Sequence, residues 1–175
     1  NWAGPAQQAC INISVSDVEL DCIDWNNWID GQDMDLTYGI EVDGIGPGVF
    51  PTAIKLTNVS IKNCNLTDWW YGIYYDYTEN STLQNASPSS NSQYGVSLVG
   101  SSNNTVTNIN SSGNTQYSIY LSLSYNNNLS NINSSGNSGY GMYLSLSSNN
   151  TLTNITVSNN AGNSGYGIYF ISSSN

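Results

Sequence analysis

Along most of this chain, apolar and polar residues alternate with a period of two. In segment 117–124, Tyr117, Ile119, Leu121 and Leu123 fall on one side of the alternation, and Ser118, Tyr120, Ser122 and Ser124 on the other. That period marks extended strands, because successive strand side chains point to opposite faces. No window carries a sustained helical stripe. Between the predicted strands lie Ser-Ser-Asn-Asn and Ser-Ser-Gly-Asn clusters. Asn and Gly accept the positive φ that tight turns require.

The pattern itself recurs. Tyr71-Gly-Ile-Tyr returns as Tyr94-Gly-Val-Ser, Tyr117-Ser-Ile-Tyr, Tyr140-Gly-Met-Tyr and Tyr166-Gly-Ile-Tyr, at steps of 23, 23, 23 and 26 residues. A second mark keeps the same phase: Leu83-Gln-Asn85, Val106-Thr-Asn108, Leu129-Ser-Asn131 and Leu152-Thr-Asn154. Short strands on a repeat of 22–23 residues predict an all-β fold, a right-handed parallel β-helix whose coils stack at the ~4.8 Å strand spacing. The prediction is a single domain over 1–175, with irregular, acidic, Trp-rich coils over 1–70 and regular uncharged repeats over 71–175.

Counting two residues past each apolar mark reaches Asn63, Asn85, Asn108, Asn131 and Asn154. Strict alternation would point these amides inward and stack them as a ladder, each bonded to the next.

Composition narrows the function. The 175 residues include 28 Asn and 28 Ser, no His and no Arg, and only two basic side chains, Lys55 and Lys62, against twelve acidic ones. No apolar run approaches the ~20 residues of a membrane span. The charge balance would repel nucleic-acid phosphates. All charged residues lie at or before Glu79. Losing His and Arg removes common acids, bases and anion clamps, which points away from an enzyme.

The segments "VELDC…IDG…YGIEV", "NVSIKNCNLTDWWYGIYY" and "YGMYLSLSSNNTLTNITVSNN" resemble right-handed parallel β-helix repeat proteins, most closely the NosD-like group of archaeal surface proteins within the pectate-lyase-like superfamily. The resemblance implies the fold and an extracellular or cell-surface setting. Pectate lyases use a catalytic Arg, and polygalacturonases a His and a basic clamp, so neither set can be placed on this chain. It also suggests that Cys10 and Cys22 pair, with Cys22–Cys64 as the competing bridge. Copper delivery, which NosD likeness raises, lacks ligands here.

The remaining carboxylates that could pair across a sugar are Asp21, Asp24, Asp30, Asp33, Asp35, Glu41 and Asp43, the arrangement glycoside hydrolysis needs. The alternative is that 30–35 is a solvated turn. Asp30, Asp33 and Asp35 could also offer oxygens to Ca²⁺, although Met34 interrupts the ligand spacing; no other cofactor is expected.

Asn-x-Ser/Thr sequons at Asn12, Asn58, Asn65, Asn80, Asn103, Asn110, Asn128, Asn133 and Asn149 are candidates for covalent N-glycans, whereas Asn85 and Asn154, pointing inward, should be closed to them. Tyr74, Tyr120, Tyr143 and Tyr169 form an outward stripe interrupted by Ser97. Such a stripe stacks on sugars, on a subunit or on itself. The Trp residues cluster in the N-terminal part. The last segment, "YGIYFISSSN", stops partway through a coil, as expected of a trimmed chain or of a stack continued by another copy. The leading expectation is therefore a structural surface glycoprotein, a rod that polymerises head to tail with itself into a filament or sheath. The alternatives are a carbohydrate-binding or adhesin module and a polysaccharide-cleaving enzyme.

Overall fold

The computed structural model describes residues 8–23, 28–31, 37–44, 55–161 and 167–174. The chain winds as a right-handed parallel β-helix. Its first sheet stacks Gln8–Ile13, Thr37–Asp43, Tyr71–Asp76, Tyr94–Val99, Tyr117–Ser122, Met142–Ser145 and Ile168–Ile171 in sequence order. The second sheet stacks Glu19–Asp21, Ser60–Lys62, Thr82–Ser89, Thr105–Ser112, Asn128–Ser135 and Thr151–Ser158, with Trp28–Asp30 and Asn65–Thr67 completing its early coils. Leu56–Thr57 and Thr78–Glu79 pair on a short third side. Among the described residues every strand pairing is parallel, and like lies on like: Leu83 faces Val106, Val106 faces Leu129 and Ile109 faces Ile132.

The interior is made of aliphatic columns. Ile40, Ile73, Val96, Ile119 and Met142 form one, and Leu83, Val106 and Leu129 another, all fully buried. Each large aliphatic side chain removed from water contributes roughly 2 kcal/mol. Polar residues fill the corners between columns. Asn104, Asn127 and Asn150 accept the backbone N–H of Ser81, Asn104 and Asn127 at 3.0, 2.9 and 2.9 Å. Their amide groups donate to the carbonyls of Thr78, Ser101 and Ser124. Asn114, Asn137 and Asn160 take the backbone N–H of Asn91, Asn114 and Asn137 in the same way, and Ser101, Ser124, Ser147 and Ser173 those of Thr78, Ser101, Ser124 and Ser147. A buried polar group is tolerated when its hydrogen bonds are made, so so many Asn and Ser residues can still form a packed fold.

Three expectations are corrected here. The ladder of Asn63, Asn85, Asn108, Asn131 and Asn154 runs along the outside, not the inside. The amides do join, with Asn85, Asn108, Asn131 and Asn154 donating to the preceding Asn at 3.1, 3.0, 3.0 and 2.7 Å. These residues hold φ between 53° and 58°, a left-handed corner that breaks the alternation. Leu83 points in, Gln84 and Asn85 both point out, and Ala86 points in again. Asn85 and Asn154 are therefore exposed.

The first sheet shows a similar slip. Tyr117 faces outward and Ser118 inward beside Ile119, while Leu123, at φ 51°, is 45% exposed. Gly72, Gly95 and Gly141 occupy the position of Ser118 in neighbouring coils, where the two sheets meet closely. A Cβ on Gly72 would stand 2.7 Å from the Gly95 carbonyl oxygen and 2.9 Å from Pro88 Cβ.

The disulfide joins Cys22 to Cys64, with Cα atoms 5.1 Å apart, and Cys10 is free and exposed. Asp21 lies in register with Lys62. Cys22 follows Asp21 directly and Cys64 follows Lys62 after the left-handed Asn63, so both cysteines reach the same corner one coil apart. Cys10 lies in the other sheet. Closing a loop with a sequence separation of 42 is worth about 4 kcal/mol in the chain-entropy account.

Candidate functional site

The outer face of the first sheet carries two rows of tyrosines. Register pairs Tyr38 with Tyr71, Tyr71 with Tyr94 and Tyr94 with Tyr117, and Tyr140 continues the row 5.7 Å from Tyr117 between ring centroids. The second row holds Tyr74, then Ser97, then Tyr120, Tyr143 and Tyr169. One coil of rise brings flat rings to stacking distance. Tyr94 and Tyr117 are 5.3 Å apart and 5° from parallel, and Tyr140 and Tyr169 are 4.9 Å apart and 9° from parallel. Each such pair adds about 1 kcal/mol beyond area burial. The sequence stripe was half of this surface; strict alternation hid the other row by assigning Tyr117 to the interior.

Beside the rows runs a groove of about 470 Å³. Tyr117, Tyr140, Tyr143 and Tyr169 form its aromatic side, and Thr115, Gln116 and Ser138 its polar side. The polar side is itself periodic. Thr115 and Ser138 head successive turns, each donating its backbone N–H to the Asn one coil back, Asn91 and Asn114, and Gln116 does the same to Gln93.

At the N-terminal end of this face, Glu41, Asp43 and Asp76 come together. Glu41 is in register with Tyr74, and Asp43 with Asp76. Asn12 Nδ2 donates to Glu41 Oε2 at 2.9 Å. Burial, then the nearby Asp43 and Glu41 charges, pushes Asp76 up to about 6 against the bond it accepts from the Tyr77 backbone. Burial also raises Glu41, opposed by the Asn12 bond and reinforced by Asp43. The phenols of Tyr38 and Tyr74 are held well above the usual tyrosine range, by burial first and then by Glu41 and Asp76 for Tyr38, and by Asp76 for Tyr74. Asp76 was absent from the sequence candidates. The offset between Tyr38-Gly-Ile and Tyr71-Gly-Ile was the available signal for its alignment with Asp43.

The other carboxylates do not join this group. Asp21 is exposed on the second sheet, and the bond from Asn63, then that from the Ile23 backbone, holds it below the ordinary range. Asp30 is exposed and accepts a bond from Thr67 Oγ1 at 3.4 Å. Asp24, Asp33 and Asp35 lie outside the described residues, so of the three carboxylates expected for Ca²⁺ only Asp30 is described. Among the described residues no group of three or more His, Cys, Asp or Glu could hold a metal ion. Trp2 and Trp25 also lie outside the described residues; Trp69 donates its indole N–H to Ile29 O at 3.1 Å, and Trp70 meets Tyr71 edge-on.

Among the sequons, Asn12, Asn58, Asn80, Asn103, Asn110, Asn128, Asn133 and Asn149 are exposed and Asn65 is partly so. Asn58 donates to Asp17 at 2.8 Å and Asn133 to Asn110 at 3.1 Å. Asn80, Asn103 and Asn149 share a left-handed corner, at φ 52°, 58° and 58°.

Among the described residues, no helix is long and apolar enough to cross a membrane. No curated protein matches the sequence. Among solved structures, the enzymatically active domain of tailspike protein 2 from bacteriophage CBA120 superposes with a TM-score of 0.62 at 18% identity, over 97% of this chain and 32% of that one. The periplasmic alginate epimerase AlgG superposes with a TM-score of 0.60 at 15% identity, over 93% of this chain and 50% of that one. The chain thus spans a third to a half of the length of these structures, and the likeness is one of fold. It corrects the non-enzymatic expectation. Both structures are described as enzymes, so a fold of this kind is compatible with catalysis. A model described as "right handed beta helix region" matches residues 52–175, and the chain belongs to that family.

Proposed function

We propose that this β-helix is an extracellular polysaccharide-binding protein that holds a linear glycan in the groove along its tyrosine rows. The observation that carries the reading is the groove's periodicity. Stacked aromatic rings on one side face hydroxyl or amide groups of two successive coils on the other, Thr115 and Gln116 and then Ser138. A polymer of similar units meets such a surface unit by unit, and tyrosine offers both an apolar body and a polar tip. That an alginate epimerase has the same fold supports a polysaccharide as the ligand class and says nothing of its charge. Filament assembly, the leading expectation from sequence, draws no comparable support from the geometry. The test is a glycan array with the intact chain, repeated with Tyr140→Ala. Loss of a bound glycan in the variant agrees with the proposal, and an array without any ligand removes it.

A second reading, hydrolysis of the bound glycan, is favoured by Asp76. A carboxyl held at about 6 is suited to donate a proton near neutral pH, and a second carboxylate is at hand in Asp43 or Glu41. Release of reducing ends by the wild type but not by Asp76→Asn, with binding kept, is the expected result. Equal release by both proteins would remove the carboxylates from the chemistry.

A further inference from the structure

We infer that the glycan is electrically neutral rather than a polyuronate or a sulfated chain. This rests on the reading of the groove as a glycan site and specifies its ligand.

Recognition of a carboxylated or sulfated polymer calls for cations or a dense set of N–H donors facing the acid groups. The whole sequence offers no Arg and no His, and its two lysines are already used. Lys55 pairs with Glu79 at 2.9 Å and Lys62 with Glu19 at 2.6 Å. Glu79 belongs to the short third side, and Lys62 and Glu19 to the second sheet. Neither lysine is on the tyrosine face. The formal net charge is −10. Among the described residues, the charges on the tyrosine face itself are Glu41, Asp43 and Asp76, at one end. An acidic polymer that reached this end would meet like-charge repulsion, with no cation along the rest of the face to offset it.

The groove is furnished for hydroxyl groups instead. Gln116 presents a carboxamide that both donates and accepts, and Thr115, Ser138 and the tyrosine phenols do both as well. Sugar hydroxyls have the same dual character, so each can be met in either sense without a charge. The chain carries no charged residue from 80 to 175, so the groove keeps this character along its length.

The test is titration calorimetry of the intact chain with a neutral xylan, a neutral mannan, laminarin, polygalacturonate and chitosan. Each is run at low and at roughly 0.5 M salt, with the wild type and with Gln116→Ala and Ser138→Ala. Both variants change exposed or half-exposed groove side chains, and their melting temperatures serve as the folding control. The expected result is binding of at least one neutral polymer, unchanged by salt and weakened about fivefold to tenfold by Gln116→Ala, the worth of one hydrogen bond. Polygalacturonate bound and weakened by the groove variants would overturn the charge inference while leaving the groove as the site. Chitosan alone, lost in salt and indifferent to both variants, would overturn the inference and the groove reading together. So would the absence of binding to all five polymers.

Discussion

Tyr117 and Tyr143 stack with ring centroids 4.9 Å apart and planes 4° from parallel, although they belong to different rows and different coils. The same diagonal joins Tyr38 to Tyr74, Tyr94 to Tyr120 and Tyr140 to Tyr169, at 4.8, 4.6 and 4.9 Å. The diagonal partner of Tyr71 would be at position 97, where Ser stands. Tyr71 is tilted by 49° to Tyr74 and 51° to Tyr94, and Ser97 is fully buried beneath this face.

Its hydroxyl has no hydrogen-bond partner. An unpaired buried hydroxyl carries its desolvation penalty without return. We therefore expect Ser97→Ala to stabilise the protein by about 1 kcal/mol, read as a higher midpoint in urea unfolding. A lower midpoint would mean that the hydroxyl has found a bond.

The two kinds of Asn should respond differently to substitution. Asn127→Ala strips the acceptor from the Asn104 backbone N–H and the donor from the Ser101 carbonyl, both buried. A loss of roughly 2–4 kcal/mol is expected. Asn131→Gly removes exposed ladder bonds but keeps a residue at ease with φ 54°, so its cost should stay below about 1 kcal/mol. Urea denaturation of both variants checks the order, and an Asn131→Gly cost equal to that of Asn127→Ala would contradict it.

This contrast also marks what the sequence could tell. The period was legible because one coil is one repeat, and Asn108 and Asn131 do lie one coil apart and bonded. Their orientation was not legible. A left-handed residue adds one outward position, and alternation counted straight through Asn85 or Asn108 comes out one residue wrong on the far side. The buried bonds of Asn104, Asn127 and Asn150 were hidden for another reason. Asn in a Ser-Ser-Asn-Asn or Ser-Tyr-Asn-Asn cluster reads as a solvated turn, and only the stacking of coils turns that corner into an interior. Asp76 was missed because its alignment with Asp43 crosses 33 residues, ten more than the regular step.

The disulfide makes a separable prediction. Reduction should lower the melting temperature, because the Cys22–Cys64 bridge closes a loop with a sequence separation of 42. A maleimide added to the native, unreduced protein should label one site, Cys10, which is exposed. Peptide mapping that placed the label on Cys64 would instead favour the Cys10–Cys22 bridge.

The carboxylates at the head of the tyrosine face should make stability depend on pH in an unusual direction. Asp76 titrates at about 6 in the folded chain, against an ordinary value of 3.8. The folded state thus prefers the protonated form more than the unfolded state does. The stability gained from that preference is fully present below about pH 4 and is lost as pH rises through about 6. Glu41, raised by burial, acts in the same sense. Their joint effect is that the protein should gain stability on acidification from about pH 7.5 to about pH 5, where paired surface carboxylates would give the opposite trend. Asp76→Asn supplies the internal control. Asparagine keeps an oxygen for the Tyr77 backbone N–H and carries no charge, so the variant should melt higher than wild type near pH 7.5 and match it near pH 4. Urea midpoints measured across this range settle the matter. A wild-type midpoint that falls steadily on acidification, with Asp76→Asn less stable throughout, would show that the Asp76 carboxylate is stabilised by the fold, not strained by it.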